Sequence, residues 1–116
     1  MTDNGAPAPR DVLRIRLLND AFRTTLQGGR VFMTPGINAL SIKTQAEILK
    51  AVVTFTDFNP DNDPYGEHDF LSVEVDGLKV FAKHDSYDLA MEYGSPDPTN
   101  PAVTVRVLTI MLASEY

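Results

Sequence analysis

Apolar residues at Val12, Ile15, Leu18, Phe22 and Leu26 recur at helical spacing, so a helix is predicted from about residue 11 to 27. Asp11 is placed to cap it and Gly28-Gly29 to stop it. Leu13, Leu17 and Ala21 make a second apolar stripe on the opposite side, the pattern of a helix that is sandwiched or covers a partner. Arg30 to Thr34 then reads as a short strand closed by Pro35-Gly36. Thr44 and Glu47 have capping-box spacing ahead of Ile48, Leu49 and Val52, which predicts a second helix over about 43–52. Val53-Thr54-Phe55-Thr56 alternates and is rich in β-formers, a second strand.

Phe70–Val75 and Leu78–Lys83 flank Asp76-Gly77, a strong signal for a two-residue hairpin turn. Counting from the turn pairs Leu71 with Ala82, Val73 with Val80 and Val75 with Leu78 on the core face. Ser72/Phe81 and Glu74/Lys79 fall on the other face, where Glu74 and Lys79 are expected to form an ion pair. Ser86 to Asn100 is irregular. Asn100 as cap and Pro101 in the first turn predict a last helix over the C-terminal segment, with Val103, Val107, Ile110 and Met111 on one side. The β-branched residues there make a strand the competing reading, but the broken alternation favours a helix. The element order is α β α β β β α. The expected fold is α+β, a small antiparallel sheet packed by two or three helices. Residues 1–9 are expected to be a flexible tail and 10–116 a single domain.

Composition narrows the class. The 116 residues are 43% hydrophobic and 22% charged, which suits a folded globule. There is no cysteine, which excludes disulfides and thiolate metal sites. No apolar run approaches the roughly 18 residues of a membrane span, and the first residues do not read as a signal peptide. The cytoplasm is the expected compartment. Charge is uneven along the chain. Residues 1–50 carry seven Lys/Arg against four Asp/Glu, whereas residues 51–116 carry three against twelve. Arg10, Arg14, Arg16 and Arg23 point in several directions round the first helix. The net charge of −6 argues against direct nucleic-acid binding.

The densest polar stretch runs from Asp57 to Asp69. Asp57, Asn59, Asp61 and Asp63 alternate as in a calcium loop, but Asn62 stands where that loop needs Gly and His68 where it needs Glu. Hairpin register sets His84 opposite Asp69 and His68 opposite Asp85. Two imidazoles and three carboxylates, Glu67 included, would then gather at the hairpin's open end. A carboxylate-held histidine can act as a base or orient a metal ligand. No phosphate-binding glycine loop, Gly-x-Ser-x-Gly turn or His-Glu-x-x-His motif is present. No cofactor or metal is expected. The candidate binding surface comprises Asp57, Asp61, Asp63, Tyr65, Glu67, His68, Asp69, Asp85 and Asp88.

Several stretches carry a resemblance. They are Asn19-Asp20-Ala21-Phe22-Arg23, Gly28-Gly29-Arg30-Val31, Asp61 through Phe70, Asp85-Ser86-Tyr87-Asp88 and Arg106 through Tyr116. Over most of residues 10–116 the chain resembles a bacterial domain-of-unknown-function family of short proteins found on chromosomes, plasmids and phages. It departs from that family near Ala82 and His84, where an aromatic and then an aliphatic residue are frequent. Glu67, His68, Asp69, Asp85 and Asp88 form the matching polar set. The resemblance supplies a mobile-element setting but no activity. With the local charge, it leads to an expectation of a non-enzymatic, acidic interaction protein, monomeric or dimeric. Its expected partner is a protein, a nucleic-acid-binding effector of host defence such as a CRISPR or restriction complex. Two other readings stand beside it. One is a small metal-dependent enzyme around Glu67-His68-Asp69, and the other is a housekeeping adaptor dimerising through the second stripe of the first helix.

Overall fold

The computed structural model describes residues 10–116, and the expected tail at 1–9 lies outside them. Helix α1 spans Val12–Thr25, and the Asp11 side chain accepts from the Arg14 amide at its start, as expected. Strand β1 is Arg30–Met33, and α2 is a single turn, Pro35–Asn38. Helix α3 is Ile42–Thr54, capped by Ser41, whose hydroxyl accepts from the Thr44 amide. The cap therefore lies three residues ahead of the Thr44 expected. Strands β2, Phe70–Val75, and β3, Leu78–Tyr87, form the hairpin, and β4 is Val105–Leu112.

The fold is α+β, with sheet order β1-β4-β3-β2. The hairpin register is the one read from the Asp76-Gly77 turn, from Phe70 opposite Lys83 to Val75 opposite Leu78. Asp76 and Gly77 both have positive φ, as a type I′ turn requires. The sheet is mixed rather than antiparallel throughout, because β1 pairs parallel with β4. A parallel pair needs a crossover connection, and α2, α3 and the hairpin together supply it.

Two elements differ from expectation. The predicted strand at 53–56 is instead the last turn of α3 and an extended exit. Arg23, only 3% exposed, donates to the carbonyls of Val52, Val53 and Phe55 at 2.9–3.3 Å. It thereby takes the backbone acceptors that a helix end leaves free and a strand would need. The C-terminal segment is β4, not a helix. Asn100 does cap a helical turn, accepting from the Ala102 amide, but that 3-10 turn ends at Val103. Strand β4 lies between β1 and β3, and residues on both its faces are buried, which erases the alternation that marks a half-buried strand. Glu74 and Lys79 are opposed as expected but make no salt bridge; Lys79 lies over the Phe81 ring instead.

The core is built from Phe22 of α1, Ile37, Ile48 and Val52 of the other helices, and Leu71, Val80, Ala82, Leu108 and Ile110 of the sheet. The helices therefore cover one sheet face. Gly29 passes so close to that core that a Cβ there would sit 2.5 Å from the Arg106 carbonyl and 2.7 Å from the Phe22 ring. The second stripe of α1 is not covered: Leu17 is 60% exposed and Ala21 faces solvent. Among the described residues, no helix is long and apolar enough to cross a membrane.

Candidate functional site

The polar loop folds back onto α1 before β2 begins. Asn59 starts it, its side-chain oxygen accepting from the amides of Asp61 and Asn62. Asn62 returns the bond by accepting from the Asn59 amide and donating to the Asp57 carbonyl. These are side-chain-to-backbone turns of the kind Asn beside Pro favours. Gly66, at φ +71°, brings the chain against α1, where Arg16 donates to its carbonyl. His68 also has positive φ, +53°, a conformation that costs a non-glycine residue roughly 1 kcal/mol. That turn sends consecutive side chains to different places.

Glu67 goes one way. Its buried carboxylate receives a forked pair of bonds from Arg10. Its backbone carbonyl accepts from the side chain of Asn19, whose oxygen in turn accepts from Arg106. His68 goes the other way, onto α1. Its Nδ1 donates to the Asp20 carboxylate at 2.9 Å and its Nε2 lies 3.6 Å from Asp63. The ring stacks on Phe58, centroids 3.8 Å apart and planes 6° from parallel. Arg23 joins this cluster, donating to Asp20 and standing 5.3 Å over the Phe58 ring. The expected pairing of His68 with Asp85 does not occur, because the positive φ at His68 breaks strand alternation before the hairpin begins. Asp85 instead has Lys83 at 3.7 Å.

The expected placement of His84 opposite Asp69 is present in the backbone, where the His84 amide donates to the Asp69 carbonyl at 2.7 Å. The side chains do not pair. The His84 ring packs against Phe22, and both ring nitrogens are buried without a hydrogen-bond partner. Burial, with Arg23 and Arg106 nearby, lowers the imidazole to about 4, so it is neutral at pH 7. Burial pushes Asp69 upward, and the neighbouring carboxylates of Glu67 and Asp63 push the same way.

Two concavities result. The first, about 270 Å³, is lined by Arg10, Asn19, Glu67, Asp69, His84, Asp85, Ser86 and Ser95, among others. The second is a shallower groove on the other side, where Asp63, Tyr65 and His68 meet Phe58 and Arg16. The candidate residues thus divide. Glu67, Asp69 and Asp85 share the first cavity, and Asp63, Tyr65 and His68 share the groove. Asp57 and Asp61 are exposed on the loop. Asp88 stands apart, its carboxylate accepting from the amides of Glu92 and Tyr93. Among the described residues, no three His, Asp or Glu stand together as a metal site would require.

Sequence reasoning missed Asn19, Asp20 and Arg23, the partners on α1. The signal was present. Asn19 sits between Ile15 and Phe22 at spacings of four and three, a polar residue on a buried stripe.

Residues 33–115 match the model of a family described as a protein of unknown function (DUF3768). That span holds the loop, the hairpin and β4 and leaves α1 outside it. No curated protein and no solved structure matches the chain.

Proposed function

The chain belongs to the DUF3768 family of unknown function, and we propose that it is a non-enzymatic, acidic interaction protein acting in the cytoplasm. The one observation that carries this reading is the charge of residues 57–97, eleven Asp/Glu against two Lys. Of those eleven, Asp57, Asp61, Glu74, Asp76, Glu92 and Asp97 are exposed. Within the described residues none of the six makes a salt bridge. Exposed carboxylates without counter-charges attract a basic surface and steer its approach. The partner class that fits is a nucleic-acid-binding effector, a CRISPR or restriction complex, whose phosphate groove the carboxylates would occupy.

The reading with Glu67-His68-Asp69 as one metal-dependent site is less favoured, since Glu67 and Asp69 line the first cavity, where Arg10 engages Glu67, while His68 turns away to Asp20 and Asp63. The adaptor reading draws on the uncovered stripe of Leu13 and Leu17 on α1.

The test is inhibition of DNA binding by purified effector complexes, measured against salt. Inhibition should weaken as salt rises and should fall in a D57N/D61N double variant. Salt-insensitive inhibition, or inhibition unchanged in that variant, rules out the acidic-surface mechanism. Asp63 and Glu67 are unsuitable for neutralisation, because both are buried in the internal network.

A further inference from the structure

We infer that the sheet face opposite the helices is a docking face for a second copy of this chain, the two faces meeting about a two-fold axis. Helices α1, α2 and α3 pack on the side that carries Leu71, Val80, Ala82, Leu108 and Ile110. Alternation and register send Phe32, Phe70, Phe81, Thr109 and Met111 to the other side. Tyr116 joins them, its ring 5.7 Å from that of Phe70 and 5.6 Å from that of Phe81. The open side of a sheet with one covered face is ordinarily polar. Here it gathers Phe32, Phe70, Phe81 and Tyr116, of which Phe32 is 46% exposed and Tyr116 72%. A contiguous apolar surface of this kind marks an interface. The rings of Phe70 and Phe81 also pack 5.0 Å apart, so with Tyr116 they hold one another in place and lose little freedom on docking.

Charge selects the occupant. Residues 57–97 hold eleven Asp/Glu against two Lys, and both lysines lie on this face. Lys79 stands 5.8 Å from the Phe81 ring and Lys83 5.9 Å from that of Tyr116. Arg30 shares the face through its place opposite Val107, as do Glu74 and Asp85 through theirs. Both signs therefore surround an aromatic centre. Glu74 and Lys79 oppose each other across the hairpin without a salt bridge within the described residues, so each can meet an opposite charge on a partner. A two-fold interface joins a patch to itself and has to be self-complementary, which a patch of both signs can be. Elsewhere the acidic surface of a chain with net charge −6 repels another copy. A nucleic-acid strand could also stack on such rings, but Glu74 and Asp85 among them repel its phosphates.

This inference stands apart from the partner proposed above, whose exposed carboxylates Asp57 and Asp61 lie in the loop folded against α1. A dimer without effector inhibition would sink the effector reading alone. Inhibition by a chain that stays monomeric would sink this one alone. The experiment is sedimentation of the full chain from roughly 10 µM to 1 mM, with ¹⁵N amide shifts followed on dilution. A monomer–dimer equilibrium is expected, with the dilution shifts centred on β3, β4 and Phe32. Phe32→Glu and Tyr116→Glu should each weaken it by about tenfold or more. Glu74→Lys and the double variant Lys79→Glu/Lys83→Glu should each dimerise less than the parent chain. Their mixture should form a heterodimer tighter than either homodimer, a rescue that misfolding could not produce. A monomer throughout the range overturns the proposal. A dimer that survives Phe32→Glu and Tyr116→Glu but is lost in Leu13→Glu/Leu17→Glu also overturns it, in favour of α1. A monomer that binds oligo-dT, more weakly as salt rises, overturns it in favour of nucleic acid.

Discussion

The two histidines sit close to the open end of the hairpin, His68 just before β2 and His84 in β3, and their surroundings are opposite in kind. His68 is the more exposed, yet it is held on every side. Asp20 takes Nδ1–H at 2.9 Å, Asp63 lies 3.6 Å from Nε2, and Phe58 covers one ring face. His84 is the more buried, yet both its nitrogens are bare. A polar cluster whose members pair with one another fixes architecture, and here only the Nε of Arg23 is left without a partner. A buried group without partners is a cost the fold carries. The comparison separates a clamp that docks the loop on α1 from a ring buried against Phe22 with no polar partner.

The clamp should be the expensive side to break. Arg23→Met removes the α3 carbonyl partners and leaves Asp20 without its guanidinium. It should lower stability by about 3 kcal/mol or more, read as a drop in urea midpoint with unchanged m-value. A cost below about 1 kcal/mol would make the clamp ornamental.

Nearly as large is the pH response of the bare side. The folded His84 titrates at about 4 against 6.5 when unfolded, so between those values the unfolded chain holds more protons. Stability should therefore be complete above pH 6.5 and fall by up to about 3 kcal/mol as pH drops towards 4. Asp69 acts in the opposite sense, because its raised pKa lets the folded state bind its proton first as pH falls. Glu115 is lowered chiefly by its bond from the Thr34 hydroxyl, so its contribution is lost only below the ordinary carboxylate range. His84→Leu isolates the histidine part. Urea titrations at pH 4.5 and 7 should differ less in that variant than in the parent chain.

His68→Ala should cost about 2 kcal/mol, through lost stacking and two carboxylates left without their imidazole. The smallest effect should come from His84→Leu at pH 7, within about 1 kcal/mol of the parent and of either sign, since no hydrogen bond is lost. If both histidine variants cost the same, the distinction between the clamp and the unpartnered ring fails.

How much of this the sequence carries differs from element to element. The Asp76-Gly77 turn fixed every pair of the hairpin, because turn chemistry and alternation agreed there. At β4 they did not. A central strand buried on both faces has no period-two signature, and a true cap at Asn100 pointed to a helix that lasts three residues. The strand expected at 53–56 was lost to Arg23, a residue some thirty positions upstream whose reach to a helix end no local pattern records. At the site, Glu67, Asp69, Asp85 and His84 were legible as a group from register alone, and they do share one cavity. His68 was not, because one positive φ turned it away from that group. A sequence reading that assumes strand alternation cannot foresee such a turn.

The chain holds only these two histidines, so one ¹⁵N imidazole spectrum reads both sides of the comparison at once. Recorded from pH 7 down to pH 4, it should show the His84 ring neutral until about pH 4, as burial beside Arg23 and Arg106 requires. Protonation of His84 near the ordinary imidazole value of 6.5 would contradict the account, because the ring would then be open to water.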